Sequence, residues 1–387
     1  MGELHDTLAN EIGGHLLTKI RASDSVWKQV FSTDMNRIGC WEWPRPDIVF
    51  SDNTLGITYA NEFKPPFQNK REYLTGLGQS LSYLQSHNYA GLIVPKYSDD
   101  NFRISEYMNE TLSSDEFIHL PISLIEYDIR TLRTDPNSSI KLLKGISNTR
   151  ETILKSKAKI NETFWAFWRD ASPSEIFDIL ALSDKYSGES GDIYSKHVYP
   201  EFYARMISGG TKQWDGSGRN KTPTEASKKS EKQNYKIPLF QLGLIDQAEG
   251  RLTKRGYQLL FIGKMYGGES MEFLDFLTYI LLTDGKHLEL INEVLKFQRD
   301  IVVPDNSAEY SLNIENYLSS RGFIGPRKPT ARTTGAKNSY LRDEQKLWNK
   351  LGLLDRKSKT NYFYPNEGYK FNWNNITRIL LKRYDSI

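Results

Sequence analysis

The stretch RPDIVFSDNTLGITYANEFKPP, residues 45–66, decides how the chain is read. Two segments rich in β-branched and aromatic residues, DIVF and GITYANEFK, flank the turn-forming SDNTLG, which predicts a hairpin of two antiparallel strands. On a strand, residues i and i+2 share a face, so Glu62 and Lys64 project together while Phe63 points into the opposite layer. Asp47, at the head of the first strand, then faces Glu62 across the hairpin. Both segments are apolar enough to be sheet interior, where a Glu and a Lys are costly to bury without each other or a metal. Two carboxylates and a lysine at one spot suit phosphodiester hydrolysis. Hard oxygen donors hold a divalent cation such as Mg²⁺, and an ammonium stands beside the attacking water.

Working outward, apolar residues from Leu4 to about Lys19 recur at helical spacing and predict a first helix despite the Gly13–Gly14 pair. After the hairpin, REYLTGLGQSLSYLQS carries Leu74, Leu77, Leu81 and Leu84 at spacings of three and four, a second helix. YAGLIVP then reads as a short buried strand, residues 120–129 as a further strand, and TLRTDPNSSI as an exit loop. The order helix, hairpin, helix, strand is that of an α/β core.

Pro46-Asp47 followed by Glu62-Phe63-Lys64 resembles the PD-(D/E)XK nuclease superfamily, and Gln79-Ser80-Leu81-Ser82-Tyr83 resembles the QxxxY element of several of its branches. One helical turn separates Gln79 from Tyr83, so both lie on one face. The resemblance covers about residues 3–95. It implies a restriction-endonuclease-like core, a central mixed sheet flanked by helices. It also implies Mg²⁺, with Mn²⁺ able to substitute, held by Asp47, Glu62 and the Phe63 carbonyl. Lys64 would orient or deprotonate the water, and Gln79 and Tyr83 would position water or phosphate. Glu11, ahead of Glu3, is the matching candidate for the acidic residue that the first helix often supplies in such families.

The chain of 387 residues contains one cysteine, Cys40, which excludes an internal disulfide, a CxxC zinc clamp and a cysteine-ligated iron–sulfur cluster. Its six histidines never pair at ligand spacing, and neither a GxxxxGK[ST] loop nor a GxSxG elbow occurs. No window is long and apolar enough to span a membrane, and the N-terminus lacks a basic patch followed by an apolar run, so a cytoplasmic location is expected. Net charge is uneven: residues 1–150 hold 15 Lys+Arg against 19 Asp+Glu, whereas residues 151–387 hold 36 against 29. An acidic front and basic back fit a catalytic domain joined to modules that bind a polyanion.

The back half carries a repeat. LGLIDQAEGRLTKRGYQLL begins at Leu242 and LGLLDRKSKTNYFYPNEGYKF at Leu351, an offset of 109 residues, with Gly-Tyr pairs at 256–257 and 368–369. A helix ending in Leu-Gly-Leu, an Asp turn and a strand-turn-strand is how a winged helix reads, although two unrelated helix–hairpin units would share these residues. Winged helices present a helix to a DNA groove, and also serve as protein-docking modules. Basic loops at 209–236 and 325–342 precede the two repeats. Lys228, Lys229, Lys232, Arg251, Lys254 and Arg255 are the first unit's candidate DNA contacts, and Arg327, Lys328, Arg332 and Lys337 the second's. Phe164, Trp165, Phe167 and Trp168 are expected on a helix, as core aromatics.

These readings place a nuclease domain at 1–148 and winged-helix-like domains at 149–265 and 266–387. The expected function is that of a Mg²⁺-dependent, sequence-specific double-stranded DNA endonuclease resembling type II restriction enzymes, leaving 5′-phosphate and 3′-hydroxyl ends. A homodimer, or a dimer formed on DNA, would cut both strands, and a cognate methyltransferase would be encoded separately. Three alternatives share the sequence features: a modification-dependent endonuclease, a repair or recombination nuclease, and a catalytically inactive winged-helix regulator.

Overall fold

A computed structural model describes residues 2–22, 27, 30–41, 43–52, 54–146, 164–166, 168, 171–209, 225–323, 341–355, 362–382 and 384. The chain divides into two compact units, Met1–Phe164 with Asn316–Ala331, and Trp165–Glu315 with Arg332–Ile387.

The first unit is an α/β fold built on a six-stranded mixed sheet with strands in sequence order. Its elements are α1 (Gly2–Arg21), β1 (Met35–Ile38), β2 (Ile48–Asp52), β3 (Ile57–Phe63), α2 (Lys70–Tyr83), β4 (Tyr89–Pro95), α3 (Ile104–Leu112), β5 (Ile122–Tyr127), α4 (Pro136–Ser139) and β6 (Ile140–Lys144). Strands β1, β2 and β3 pair antiparallel, β3–β4–β5 parallel, and β6 returns antiparallel to β5. Helix α2 makes the crossover between β3 and β4, as a parallel pair requires.

Strand alternation sorts the core into two layers. Phe50, Tyr59, Phe63, Ile93, Ile125 and Tyr127 face α1, packing on Leu8, Ile12 and Leu16. Val49, Ala60, Leu92, Val94 and Leu124 face α2 and α3, packing on Tyr73, Leu77, Tyr83, Ile104 and Met108. The glycine pair inside α1 has a packing reason: a Cβ on Gly13 would press on Ile48 at 3.3 Å, and one on Gly14 would meet the Arg321 guanidinium at 2.5 Å. Here the close approach of the helix to its neighbours outweighs helix propensity.

The second unit is mostly helical. It contains α5 (Pro173–Lys185), a π-helical turn (Tyr194–Val198) running into α6 (Tyr199–Gly209), α7 (Glu225–Gln241), α8 (Lys254–Tyr266), α9 (Met271–Leu282) and α10 (His287–Asp300). Helix α11 (Ser307–Ser320), whose residues from Asn316 on count with the first unit, follows, then α12 (Arg342–Lys350), the hairpin β7 (Phe363–Tyr364) and β8 (Gly368–Tyr369), and α13 (Trp373–Leu380). His287 is fully buried at its centre. Trp348 Nε1 donates to its Nδ1 at 2.9 Å, so its Nε2 carries the proton and donates to the Ala166 carbonyl at 2.8 Å. Burial holds the imidazole neutral, with a pKa pushed down to about 4.

The repeat has the same backbone in both copies. Gly243 and Gly352 take φ of +67° and +68°, the left-handed conformation that ends a helix without a Cβ penalty. Leu244 N bonds the Leu239 carbonyl and Leu353 N the Trp348 carbonyl, while Asp246 N bonds the Arg251 carbonyl and Asp355 N the Lys370 carbonyl. Antiparallel bridges Ile245–Leu252 and Leu354–Phe371 open a ribbon in each, and the next helix starts at a capped Thr253 or Asn372. The Gly-Tyr pairs are not equivalent, however, since Gly256-Tyr257 lies in α8 and Gly368-Tyr369 is β8.

Several other expectations are corrected. Residues 225–236, read as loop, form the front of α7, because Glu, Ala, Lys and Gln are strong helix formers. Phe164, Trp165 and Trp168 lie outside any helix; all three are buried, and Phe167 falls outside the described residues. The exit loop at 131–140 contains α4 and leads into β6, a strand not expected from the sequence. No helix among the described residues is long and apolar enough to cross a membrane.

Candidate active site

Strand β2 starts where β3 ends, because their antiparallel register pairs Ile48 with Asn61. One step further, Asp47 stands opposite Glu62. Its Oδ2 accepts a hydrogen bond from Phe63 N at 2.8 Å, which fixes the carboxylate at the mouth of the hairpin. Glu62 and Lys64 point to the α2 layer and are nearly inaccessible, at 3% and 6% exposure. Lys64 Nζ lies 2.8 Å from Glu62 Oε1 and donates to Gln79 Oε1 at 2.9 Å. The Tyr83 hydroxyl donates to Glu62 Oε2 and stands 3.3 Å from the Arg45 carbonyl. Gln79 and Tyr83, one turn apart on α2, thus meet the two ends of the Glu62–Lys64 pair.

The main chain is fixed as firmly. Lys64 N bonds the Ile93 carbonyl at 2.9 Å, and Tyr127 OH donates to the Lys64 carbonyl at 3.0 Å. The lysine stem runs under Gly76 of α2, where a Cβ would fall 2.7 Å from Lys64 Cε and 2.9 Å from Leu92 Cδ1. A glycine at this point lets the helix lie close enough for Gln79 to reach the ammonium.

From the other layer His5 of α1 reaches the site, while the side chain of Glu3 lies outside the described residues. His5 Nε2 is 3.2 Å from the Phe63 carbonyl and 3.7 Å from Asp47 Oδ2, its Nδ1 is 3.0 Å from Asp6 Oδ1, and its ring stands edge-on to Phe63 at 5.3 Å. Glu11 makes no hydrogen bond or ion pair with Asp47, Glu62 or Lys64. It is six residues along the helix from His5, about 9 Å and a third of a turn away. His5 had a signal in the sequence: it continues the Leu8–Ile12–Leu16 stripe toward the N-terminus, and so faces the sheet.

The electrostatics follow from burial. Glu62 has its pKa pushed up to about 7, first by desolvation and then by the nearby Asp47 charge; Lys64 and the hydrogen bonds to Lys64 and Tyr83 oppose this. For His5, burial works against the charged form, but the Asp6 hydrogen bond and the Asp47 and Asp6 charges outweigh it and raise the pKa to about 9. An imidazolium N–H therefore sits between the Asp47 carboxylate and the Phe63 carbonyl, where those two oxygens attract positive charge.

Among the described residues no group of three or more His, Cys, Asp or Glu side chains is gathered as a metal site. What the site offers a hard cation is two carboxylates, Asp47 and Glu62, and one main-chain oxygen, Phe63 O, a donor set that fits Mg²⁺ in chemistry. The His5 N–H lying between two of those oxygens supports that fit.

The candidate DNA contacts from Lys228 to Arg255 belong to the second unit. Lys229 and Lys254 are exposed. Lys228 lies over the Tyr203 ring at 5.0 Å, and the Lys232 carbonyl accepts from Tyr194 OH. Arg251 is engaged within the fold by Glu249 and the carbonyls of Ser187 and Glu189, and Arg255 by Asp284 at 3.3 Å. Arg327, Lys328, Arg332 and Lys337 lie outside the described residues.

Compared with protein-family models and with curated proteins, the chain matches none. The fold and site define an α/β protein with a buried carboxylate–lysine pair at the open end of a hairpin.

Proposed function

We propose that the first unit is a Mg²⁺-dependent endonuclease of the PD-(D/E)XK type, acting on double-stranded DNA in the manner of a type II restriction enzyme. One observation carries the reading. Asp47, Glu62 and Lys64, spread over 18 residues of sequence, meet at one mouth of the sheet with Gln79 and Tyr83 of α2 against them.

Asp47, Glu62 and the Phe63 carbonyl would hold the cation, which when bound polarises a phosphoryl oxygen and lowers the pKa of a water. The protein's own residues do the rest. Lys64, clamped between Glu62 and Gln79, holds its ammonium at a fixed point to orient the attacking water and to balance charge on the phosphate. Gln79 fixes the lysine, and Tyr83 fixes the second oxygen of Glu62. Desolvation keeps the site hungry for positive charge, since a buried Glu62 carboxylate gains more from a cation than an exposed one would. The duplicated helix–ribbon–helix units, read as winged helices, would place α7 with Lys228, Lys229 and Lys232 against the DNA backbone.

The test uses methylated and unmethylated plasmid with Mg²⁺, comparing wild type with Asp47→Ala and Lys64→Ala. Wild type is expected to cut unmethylated DNA into discrete fragments and both variants to lose cleavage. Equal cutting by all three would show that chemistry lies elsewhere. Cutting of methylated DNA alone would convert the reading to a modification-dependent enzyme, and no cutting of any DNA would favour a binding role.

A further inference from the structure

Two exposed aromatic rings flank the open end of the hairpin, one on each arm of chain that leaves it. Trp43 lies four residues ahead of Asp47 and is 92% exposed, and Phe67 lies three residues past Lys64 and is 57% exposed. Large aromatic side chains are mostly withdrawn from water in folded proteins. By the reach of an extended chain, the Cα of Trp43 is within about 14 Å of that of Asp47, and the Cα of Phe67 within about 11 Å of that of Lys64. On a nucleic acid strand, where bases follow every ~3.4 Å, those spans are about three to four base steps.

Both arms are held by α2. The Tyr83 hydroxyl, which donates to Glu62, stands 3.3 Å from the Arg45 carbonyl, and the Arg45 guanidinium lies over the Trp41 ring at 4.5 Å. On the other arm the Tyr73 hydroxyl stands 3.1 Å from the Pro65 carbonyl and 3.2 Å from the Pro66 carbonyl. Pro65 and Pro66 are buried, whereas the ring that follows them is not. The helix that brings Gln79 and Tyr83 to the site therefore also fixes the two arms that carry Trp43 and Phe67.

The surroundings say what covers the rings. A protein partner needs a contiguous apolar patch, but Phe67 is followed by Gln68, Asn69 and Lys70, and Trp43 by Pro44 and a half-buried Arg45. An isolated π face is enough for a nucleobase, which stacks on an aromatic side chain whatever its sequence. A base inside an intact duplex is already stacked on both sides, so such a contact requires a strand that is opened at the site.

We propose that Trp43 and Phe67 are base-stacking positions, which hold unpaired nucleobases of the strand whose phosphate lies over Asp47, Glu62 and Lys64, so that the site takes DNA opened at the cut. That the ligand is a nucleic acid strand rests on the nuclease reading; the two rings add the state in which the strand is held. Stacking of this kind grips the strand without reading its sequence.

Fluorescence anisotropy tests this with the full chain and Ca²⁺, another cation that takes oxygen ligands, in place of Mg²⁺. The probes are a labelled oligothymidylate of about twenty nucleotides, longer than the ~4–16 that single-strand sites cover, and an abasic strand of the same length and charge. Wild type is expected to bind the oligothymidylate more tightly than the abasic strand. Trp43→Ala and Phe67→Ala should each lose about tenfold on the oligothymidylate and nothing on the abasic strand, and Trp43→Phe should keep most of the affinity. Leu74→Ala, which removes a comparably exposed apolar side chain from α2, should bind as wild type does. Equal binding of the two strands by wild type, or an undiminished affinity of Trp43→Ala for the oligothymidylate, would overturn the proposal. Binding and plasmid cleavage are read separately. Trp43-dependent binding by a protein that cuts no DNA sinks the nuclease reading and keeps the stacking role, and cutting by a protein whose binding ignores Trp43 does the reverse.

Discussion

Replacing Glu62 by Gln removes a buried ionisable group while keeping its shape, and the consequence for stability can be worked from the site. The displacement of its pKa from 4.5 to about 7 corresponds to about 3 kcal/mol between the protonation states. Between those values the folded protein holds a proton that the unfolded chain has already lost. Wild-type stability from this group therefore falls as pH rises from 4.5 to 7, and is level beyond. Glutamine does not titrate, so the variant lacks that fall. His287, neutral in the fold with its pKa near 4, contributes a rise in stability up to about pH 6.5 that is common to both proteins and cancels. The stability of Glu62→Gln relative to wild type is thus expected to increase by about 3 kcal/mol from pH 4.5 to 7.5. Urea unfolding with pulsed hydrogen exchange, read on β3 and β4 peptides in EDTA, reports the first unit alone. A difference that stays constant across this range would refute the reasoning, because it would mean that burial does not hold Glu62 protonated.

Further outcomes follow from the same site. Mg²⁺ at about one hundred times its dissociation constant should stabilise wild type by about 2.7 kcal/mol, an effect that Asp47→Asn should abolish when the exchange experiment is run with Mg²⁺ in place of EDTA. Gly76→Ala puts a methyl against the Lys64 stem and Leu92; it should cost about 1–3 kcal/mol and lower cleavage more than Gly78→Ala, where a Cβ meets open space. His5→Ala should reduce cleavage by at least tenfold and Glu11→Ala much less, measured as single-turnover rates on plasmid. The reverse order would return the α1 contribution to Glu11.

The hairpin was legible in the sequence because both its strands are rich in β-branched and aromatic residues and its turn in Asp, Asn and Gly. Strand alternation then put Glu62 and Lys64 on one face and Phe63 on the other. Helices α1 and α2 were legible from their leucine spacing. Strand β1 was not: MNRI carries Asn36 and Arg37 into the interior, where Arg37 bonds Asn10 and lies 4.8 Å from the Phe164 ring. A buried polar pair hides a strand from any hydrophobic pattern. Histidine spacing does not mark His5, because its partners are the adjacent Asp6, an aspartate 42 positions away and a main-chain carbonyl. Gly76 reads in sequence as a weak helix residue, and its role depends on a lysine from another element.

The two copies of the repeat share the turn at Gly243 and Gly352 and the bond that follows it, but from that turn to the cap of the next helix the second takes ten more residues, Asn372 standing 20 beyond Gly352 and Thr253 only 10 beyond Gly243. All of the extra length falls between Asp355 and Lys370, residues that still bond as Asp246 and Arg251 do. The closing hydrogen bond therefore acts as a seam: chain can be added on its far side without disturbing the helices on the near side. A protein built this way can lengthen or shorten its ribbon by insertion alone, so the ribbon tip, more than the helices, is where relatives of this chain should differ in length.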